Sequence, residues 1–154
     1  MTAPSPEINE EDLRQAMELL FFAYRDFTSE PDAVLAQYNF GRAHHRVIYF
    51  VGRNPGITVN ELLAILRITK QSLNRVLRQL VQEEFIEQNS DPADRRLRRL
   101  RLTLAGEKLE AKLTKQQSHR IAEAYRAAGA PAINGFREIL RGIINVEDRN
   151  RISG

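Results

Sequence analysis

Two stretches carry side chains whose type and spacing could do chemistry. The first is KQSLNRVLRQLVQEE, from Lys70 to Glu84. Read as a helix, it puts Leu73, Val76, Leu77, Leu80 and Val81 on one stripe and Gln71, Asn74, Arg75, Arg78 and Gln82 on the other face. Arginine pairs with guanine O6 and N7, and asparagine or glutamine with adenine N6 and N7, so this face suits base edges or phosphates. A merely solvated face would mix glutamate with lysine, whereas this one has no acid before Glu83. The second stretch is RRLRRLR, Arg95 to Arg101, five arginines in seven residues. Such a cluster matches the charge of a nucleic-acid backbone. Asp91 and Asp94 precede it; with no further ligand cluster nearby, a carboxylate orienting a neighbouring arginine explains them better than a metal site.

Other elements must hold these two stretches in place. Thr58 caps a short helix ending near Leu66, with Ile57 and Leu62 as a hydrophobic staple. Arg67-Ile68-Thr69 makes the turn, and Thr69 caps the polar helix. Phe85 to Asn89 reads as a strand, Ser90 to Asp94 as a turn, and Leu97 to Leu102 as the return strand of a hairpin. Thr103 caps a long helix running to about Ala128, which Gly129-Ala130-Pro131 breaks. A last helix carries Ile133, Phe136, Leu140, Ile143 and Ile144. Upstream, residues 1–8 form a loose arm, and Asn9 caps a helix with Glu10, Glu11 and Asp12 in its first turn. Its stripe is Leu13, Met17, Leu20, Phe21, Tyr24 and Phe27. A break at Thr28–Asp32 is expected before a second helix, with Phe40, His44, Val47, Ile48 and Val51 on its apolar face, that Pro55 and Gly56 end. The first and last helices have apolar faces with nothing local to bury them. They are expected to pack together and across a two-fold axis.

Charge is unevenly placed along the 154 residues. Residues 1–39 balance at −6, 40–101 at +6 and 102–154 at +3, giving the net +3. The cationic centre is the expected footprint of a phosphate-facing lobe. Absence of cysteine excludes disulfides, thiolate metal sites and thiol redox sensing, and fits a cytoplasmic chain. No apolar run approaches the roughly 18 residues of a membrane span, and the N-terminus is acidic rather than signal-like. An enzyme is not expected: of three histidines, the adjacent His44 and His45 point about 100° apart on a helix and cannot chelate one metal. No glycine-rich phosphate loop or nucleophile–base pattern is present either.

The order helix, helix, helix-turn-helix, hairpin, long helix, helix resembles the MarR family of dimeric winged-helix transcriptional regulators. The residues that carry the resemblance are TVNELLAIL–RIT–KQSLNRVLRQLVQEEFI and the wing DPADRRLRRLRLTLAGEKL. The most specific part is the D-x-R element followed by L-T-x-x-G, here Asp94, Arg96, Leu102, Thr103 and Gly106. The resemblance implies a mainly α fold with a small β-hairpin: a winged helix-turn-helix lobe over 32–103, and a helical dimerisation lobe from 1–31 and 104–154. It implies duplex DNA as partner, with Thr69, Lys70, Gln71, Ser72, Asn74, Arg75 and Arg78 on the recognition helix. Asp94, Arg95, Arg96, Arg98 and Arg99 would serve the wing, with Arg96, or else Arg95 or Arg98, entering the minor groove and Lys70, Arg95, Arg98, Arg99 and Arg101 contacting phosphates. Leu13, Met17, Leu20, Ile133, Phe136, Leu140, Ile143 and Ile144 would form the homodimer interface. It further implies a small, often aromatic effector, with Phe21, Tyr24, Phe40, His44 and Tyr49 as candidates for its pocket, and no cofactor or metal. A ligand-independent activator or architectural protein of the same fold is the alternative. One departure is Arg67, which stands where the family commonly has glycine.

Overall fold

The computed structural model describes residues 3–152; Met1 and Thr2 of the arm, and Ser153 and Gly154, lie outside the described residues. The elements in chain order are α1 (Glu10–Ala36), α2 (Arg42–Arg53), β1 (Ile57–Thr58), α3 (Val59–Leu66) and α4 (Lys70–Gln82), then β2 (Ile86–Ser90), β3 (Arg98–Leu102), α5 (Leu104–Ala128), α6 (Ala130–Ile143) and α7 (Val146–Arg149). Among the described residues the fold is thus mainly helical, with one small antiparallel sheet.

The expected break at Thr28–Asp32 does not occur. Asn9 Oδ1 accepts the Asp12 N–H at 2.9 Å to start α1, and the helix then runs 27 residues with Pro31 inside it. A proline at that position removes the N–H that would bond to the Phe27 carbonyl. Here Gln117 Nε2, from α5, donates to that carbonyl at 3.2 Å. The Thr28 hydroxyl donates to the Tyr24 carbonyl at 2.8 Å and the Ser29 hydroxyl to the Asp26 carbonyl at 2.9 Å. Long-range packing therefore supplies what the local sequence lacks, and the chain turns only at Gln37–Phe40, where Asn39 has φ 59°.

Three further helix starts, like that of α1, use the residues named from sequence. Thr58 accepts the Glu61 N–H at 3.2 Å, Thr69 the Ser72 N–H at 3.1 Å, and Thr103 the Gly106 N–H at 3.1 Å. The hairpin gains a strand that the sequence pattern did not signal. β1, two residues long, pairs with β3 through Ile57↔Leu100 and Thr58↔Arg99, giving sheet order β1-β3-β2. Two residues are too few to show a period of two. In the β2–β3 pair the register Ile86↔Leu102, Gln88↔Leu100, Ser90↔Arg98 puts one apolar end of the hairpin in the core and leaves the other end polar.

One core joins the elements. Leu35, Ile48, Leu62, Leu80, Leu100 and Leu113, from α1, α2, α3, α4, β3 and α5, are each fully buried in it. α5 is held against the sheet by a close approach at Gly106. A Cβ there would lie 2.1 Å from the Phe85 carbonyl oxygen. Thr103 completes the junction: its N–H donates to that same oxygen at 3.0 Å and its hydroxyl to the Glu84 carbonyl at 2.6 Å. Thus the L-T-x-x-G pattern combines a cap with a contact that only glycine fits. Gly106→Ala should destabilise the protein by roughly 1–3 kcal/mol through overpacking, read as a lower urea midpoint. An unchanged midpoint would mean that α5 can shift without cost.

Candidate nucleic-acid interface

α4 owes its orientation to its apolar stripe. Leu73, Val76, Leu77 and Leu80 are buried, which leaves Lys70, Gln71, Asn74, Arg75 and Arg78 exposed on the opposite face. Among the described residues no protein hydrogen bond or ion pair engages those five side chains. Thr69 and Ser72 differ: the Thr69 hydroxyl donates to Ser72 Oγ at 2.8 Å while accepting the Ser72 N–H, so both are used in the cap. Lys70 and Asn74 also line a cleft of about 380 Å³ with Thr58, Asn60, Gln88, Arg96 and Arg98. This cleft lies between the recognition helix and the wing. Asn60 and Gln88 were not singled out from sequence, and Thr58 only as a helix cap, because only the register Gln88↔Leu100 and the pairing of β1 bring them to this side.

The wing is ordered by its two carboxylates. Asp91 Oδ1 accepts the N–H groups of Ala93 at 2.7 Å and Asp94 at 3.1 Å, forming the turn. Its Oδ2 accepts from Arg99 Nε, and Arg99 Nη1 donates onward to the Gly56 carbonyl at 2.9 Å. Arg99 is therefore turned inward as a strut between the wing tip and the turn before β1, and differs from the free phosphate contact that the resemblance implied. Arg101 likewise folds over the turn, with Nη2 3.2 Å from where a Gly56 Cβ would stand. Asp94 instead grips Arg96 in a fork. Oδ1 accepts from Arg96 Nε at 3.1 Å and from its backbone N–H at 3.1 Å, and Oδ2 accepts from Nη2 at 3.2 Å. The Arg96 side chain is still 90% exposed, so it is aimed without being covered. Arg95 and Arg98 project from the wing with no protein partner among the described residues.

The residues proposed for an effector pocket separate into two groups. Tyr24 and Tyr49 line a cavity of about 310 Å³ between α1, α2 and α5, together with Phe27, Arg42, His45 and Arg46. Arg46 Nη2 donates to the Tyr24 hydroxyl at 2.5 Å, and the Arg42 guanidinium stands 5.6 Å from the Tyr24 ring centre. Burial lowers the His45 imidazole below its ordinary value against the opposing pull of Asp32 and Glu110. Phe21, Phe40 and His44 do not line this cavity. Phe21 is exposed on α1. Phe40 is buried in the core, stacked 4.6 Å from the His44 ring. His44 Nδ1 accepts the Gly41 N–H at 3.0 Å, which leaves Nε2–H to donate to Gln79 Oε1 of α4 at 2.8 Å. Adjacent positions on one helix explain the split: His45 faces the cavity and His44 the recognition helix.

Of the residues assigned to the dimer interface, Leu13, Met17, Leu20, Phe136 and Ile143 are exposed, and Ile133, Leu140 and Ile144 are half-buried. Among the described residues no group of three or more metal-ligating side chains occurs, and no helix is long and apolar enough to cross a membrane.

A capped polar helix, bare on one side, beside a wing that presents an oriented arginine, is the surface of a winged helix-turn-helix DNA-binding protein. A MarR family model matches residues 38–97. The HTH-type transcriptional regulator PetP of Rhodobacter capsulatus is 47% identical over 138 residues, covering 90% of this chain and 83% of that protein. The chain belongs to the MarR family of helix-turn-helix transcriptional regulators. Its fold is also similar to Streptococcus pneumoniae FabT in complex with DNA (TM-score 0.73, 17% identity, 85% of this chain and 94% of that one). NadR in complex with 4-hydroxyphenylacetate is a second such fold (TM-score 0.69, 20% identity, 95% and 99%).

The wing geometry makes a titration test. Arg99 and then the Ala93 and Asp94 amides hold the Asp91 carboxyl below its ordinary range, and Arg96 does the same for Asp94. Lowered carboxylates stabilise the folded wing above the unfolded value of about 4. That contribution is lost as pH falls through the depressed folded values. Carboxyl carbon shifts should show both aspartates titrating below pH ~3.9, with Arg99→Ala raising Asp91 and Arg96→Ala raising Asp94 part of the way back, since the backbone amides that bond to each remain. Ordinary midpoints in the unsubstituted protein would contradict the fork and the strut.

Proposed function

We propose that the chain regulates transcription as a homodimer on a pseudo-palindromic duplex site, with no catalytic activity of its own. Two copies of α4 would enter successive major grooves about 34 Å apart. Gln71, Asn74, Arg75 and Arg78 would read base edges, and Arg96 would probe a narrow, electronegative minor groove. Lys70, Arg95 and Arg98 would contact phosphates and make affinity salt-dependent. The observation that carries this reading is the pairing of an unoccupied polar face on α4 with an exposed arginine held by Asp94. Support for a dimer is the apolar surface left open on α1 and α6, including Leu13, Met17, Leu20, Phe136 and Ile143. A monomer rarely leaves so many large apolar side chains in water.

Fluorescence anisotropy on a duplex enriched from genomic fragments, against a random duplex, tests the assignment. Arg96→Ala should weaken binding to both duplexes without lowering the unfolding midpoint. Asn74→Ala and Arg75→Ala should in addition narrow the preference for the selected duplex, by roughly 1–3 kcal/mol per lost bidentate pair. The stoichiometry should be two chains per site. Unchanged isotherms for all three variants would overturn the reading.

The cavity favours a ligand-responsive regulator over a ligand-independent one. Its aromatic walls, with Arg42 and Arg46 at hand, suit a small aromatic acid, and NadR provides 4-hydroxyphenylacetate as a probe. A ligand shifts DNA affinity only through its different affinity for the two states of the protein. The probe should raise the melting temperature and lower DNA affinity, and Arg46→Ala should reduce both effects. A panel of small aromatic acids that neither binds nor alters DNA affinity at millimolar concentration would remove this part of the proposal.

A further inference from the structure

Arg67 occupies an unfavourable backbone conformation that its own sequence neighbourhood does not explain. It ends α3 with φ 52° and ψ 42°, the left-handed region that glycine enters at least cost. Its N–H donates to the Leu63 carbonyl at 2.9 Å, and two residues later Thr69 caps α4. The direction of Arg67 therefore sets the direction in which α4 departs.

The side chain shows what an arginine adds here. Nη2 donates to Glu147 Oε1 at 2.6 Å and to Asp148 Oδ2 at 3.3 Å, both on α7. Asp148 is itself fixed, accepting from Arg151 Nε at 2.8 Å and donating its N–H to the Asn145 carbonyl at 3.0 Å. α3 and α4 pack mainly on α2 and on the sheet. The clamp thus joins the helix-helix turn to a segment 80 residues away, beyond α6.

We infer that Arg67 is a positioning residue for DNA binding: clamped by Glu147 and Asp148, it ties the turn that launches the recognition helix to the C-terminal end of the chain. This rests on the DNA-binding reading above. Through α6, the same link connects the recognition helix to the apolar faces that set its distance from a second copy. The partners are half-exposed, and exposed ion pairs add little to global stability. The signature should therefore lie in DNA affinity and local order, with the unfolding midpoint little changed. A rival role, in which Arg67 itself contacts phosphate, predicts the opposite sign when its carboxylates are removed, because the guanidinium would be released to the DNA.

The test uses the full chain as wild type, Arg67→Gly, Glu147→Gln with Asp148→Asn, and all three substitutions together. Glycine suits the turn's backbone, so loss of folding does not confound the first variant. On the duplex enriched by the wild type, Arg67→Gly and the carboxamide pair should each bind roughly three- to ten-fold more weakly. The triple variant should lose no more than either, as expected of one shared interaction. Amide exchange read at the far end of the clamp should quicken: at Asp148 in Arg67→Gly, and at Leu73 in the carboxamide pair. A carboxamide pair that binds as tightly as wild type, or more tightly, overturns the proposal. Weak binding by Arg67→Gly beside tight binding by the carboxamide pair would make Arg67 a direct phosphate contact. If the wild type enriches no duplex, the DNA-binding reading fails, and unchanged exchange at Asp148 and Leu73 would overturn the clamp independently.

Discussion

The apolar stripe of α4 is the constraint on which the rest of the molecule depends. Leu73, Val76, Leu77 and Leu80 enter the core that α2, α3 and β3 complete through Ile48, Leu62 and Leu100. Burying each such side chain contributes on the order of 1.5–3 kcal/mol. That is enough to hold a helix whose other face offers Lys70, Arg75 and Arg78 to water without compensating acids nearby on that face. These cations repel one another weakly across solvent and are screened by salt. A polyanion relieves the repulsion and finds the donors already placed. The same stripe thus explains both the fold of this lobe and its readiness for DNA.

The wing solves a different problem, since a hairpin tip has no core to fix it. Its order comes from carboxylates. Asp91 closes the turn through backbone amides and holds Arg99 across to Gly56, while Asp94 aims Arg96 outward. Five arginines of similar sequence context therefore have unlike roles. Arg99 braces, Arg101 covers a turn, Arg96 is presented, and Arg95 and Arg98 stay exposed without a protein partner among the described residues. A planar guanidinium suits both the brace and the presented arginine, because its fixed fork can satisfy two acceptors at once.

α2 stands between the cavity and the recognition helix, touching both through neighbouring histidines. His45 lines the cavity, and His44 donates to Gln79 of α4. α2 shares the core with α4 through Val47, Ile48 and Val51. A displacement at the cavity wall would reach α4 through packing and through one directed hydrogen bond. On the far side of α4, the turn at Arg67 reaches the C-terminal segment. The recognition helix is accordingly held from two directions by elements outside the helix-turn-helix.

By itself the sequence determined the features that depend on a few neighbouring residues. The 3.6-residue stripe of α4, the caps at Asn9, Thr58, Thr69 and Thr103, and the stop at Gly129 are local in origin, and each appears in the structure where the pattern put it. The paired charge of the wing was legible for the same reason, as was its dependence on Asp91 and Asp94. What the tertiary structure decided involves partners far along the chain. α1 continues through Pro31 because Gln117, from another helix, bonds to the Phe27 carbonyl. β1 exists only because β3 offers it an edge. Arg99 is a strut because Gly56 lies beneath it, and His44 leaves the cavity to His45 because Gln79 and Phe40 hold it elsewhere. Arg67 keeps a conformation its backbone disfavours while two carboxylates at the other end of the chain meet it. Period and capping are written in adjacent residues; the partner of a lone hydrogen bond is not.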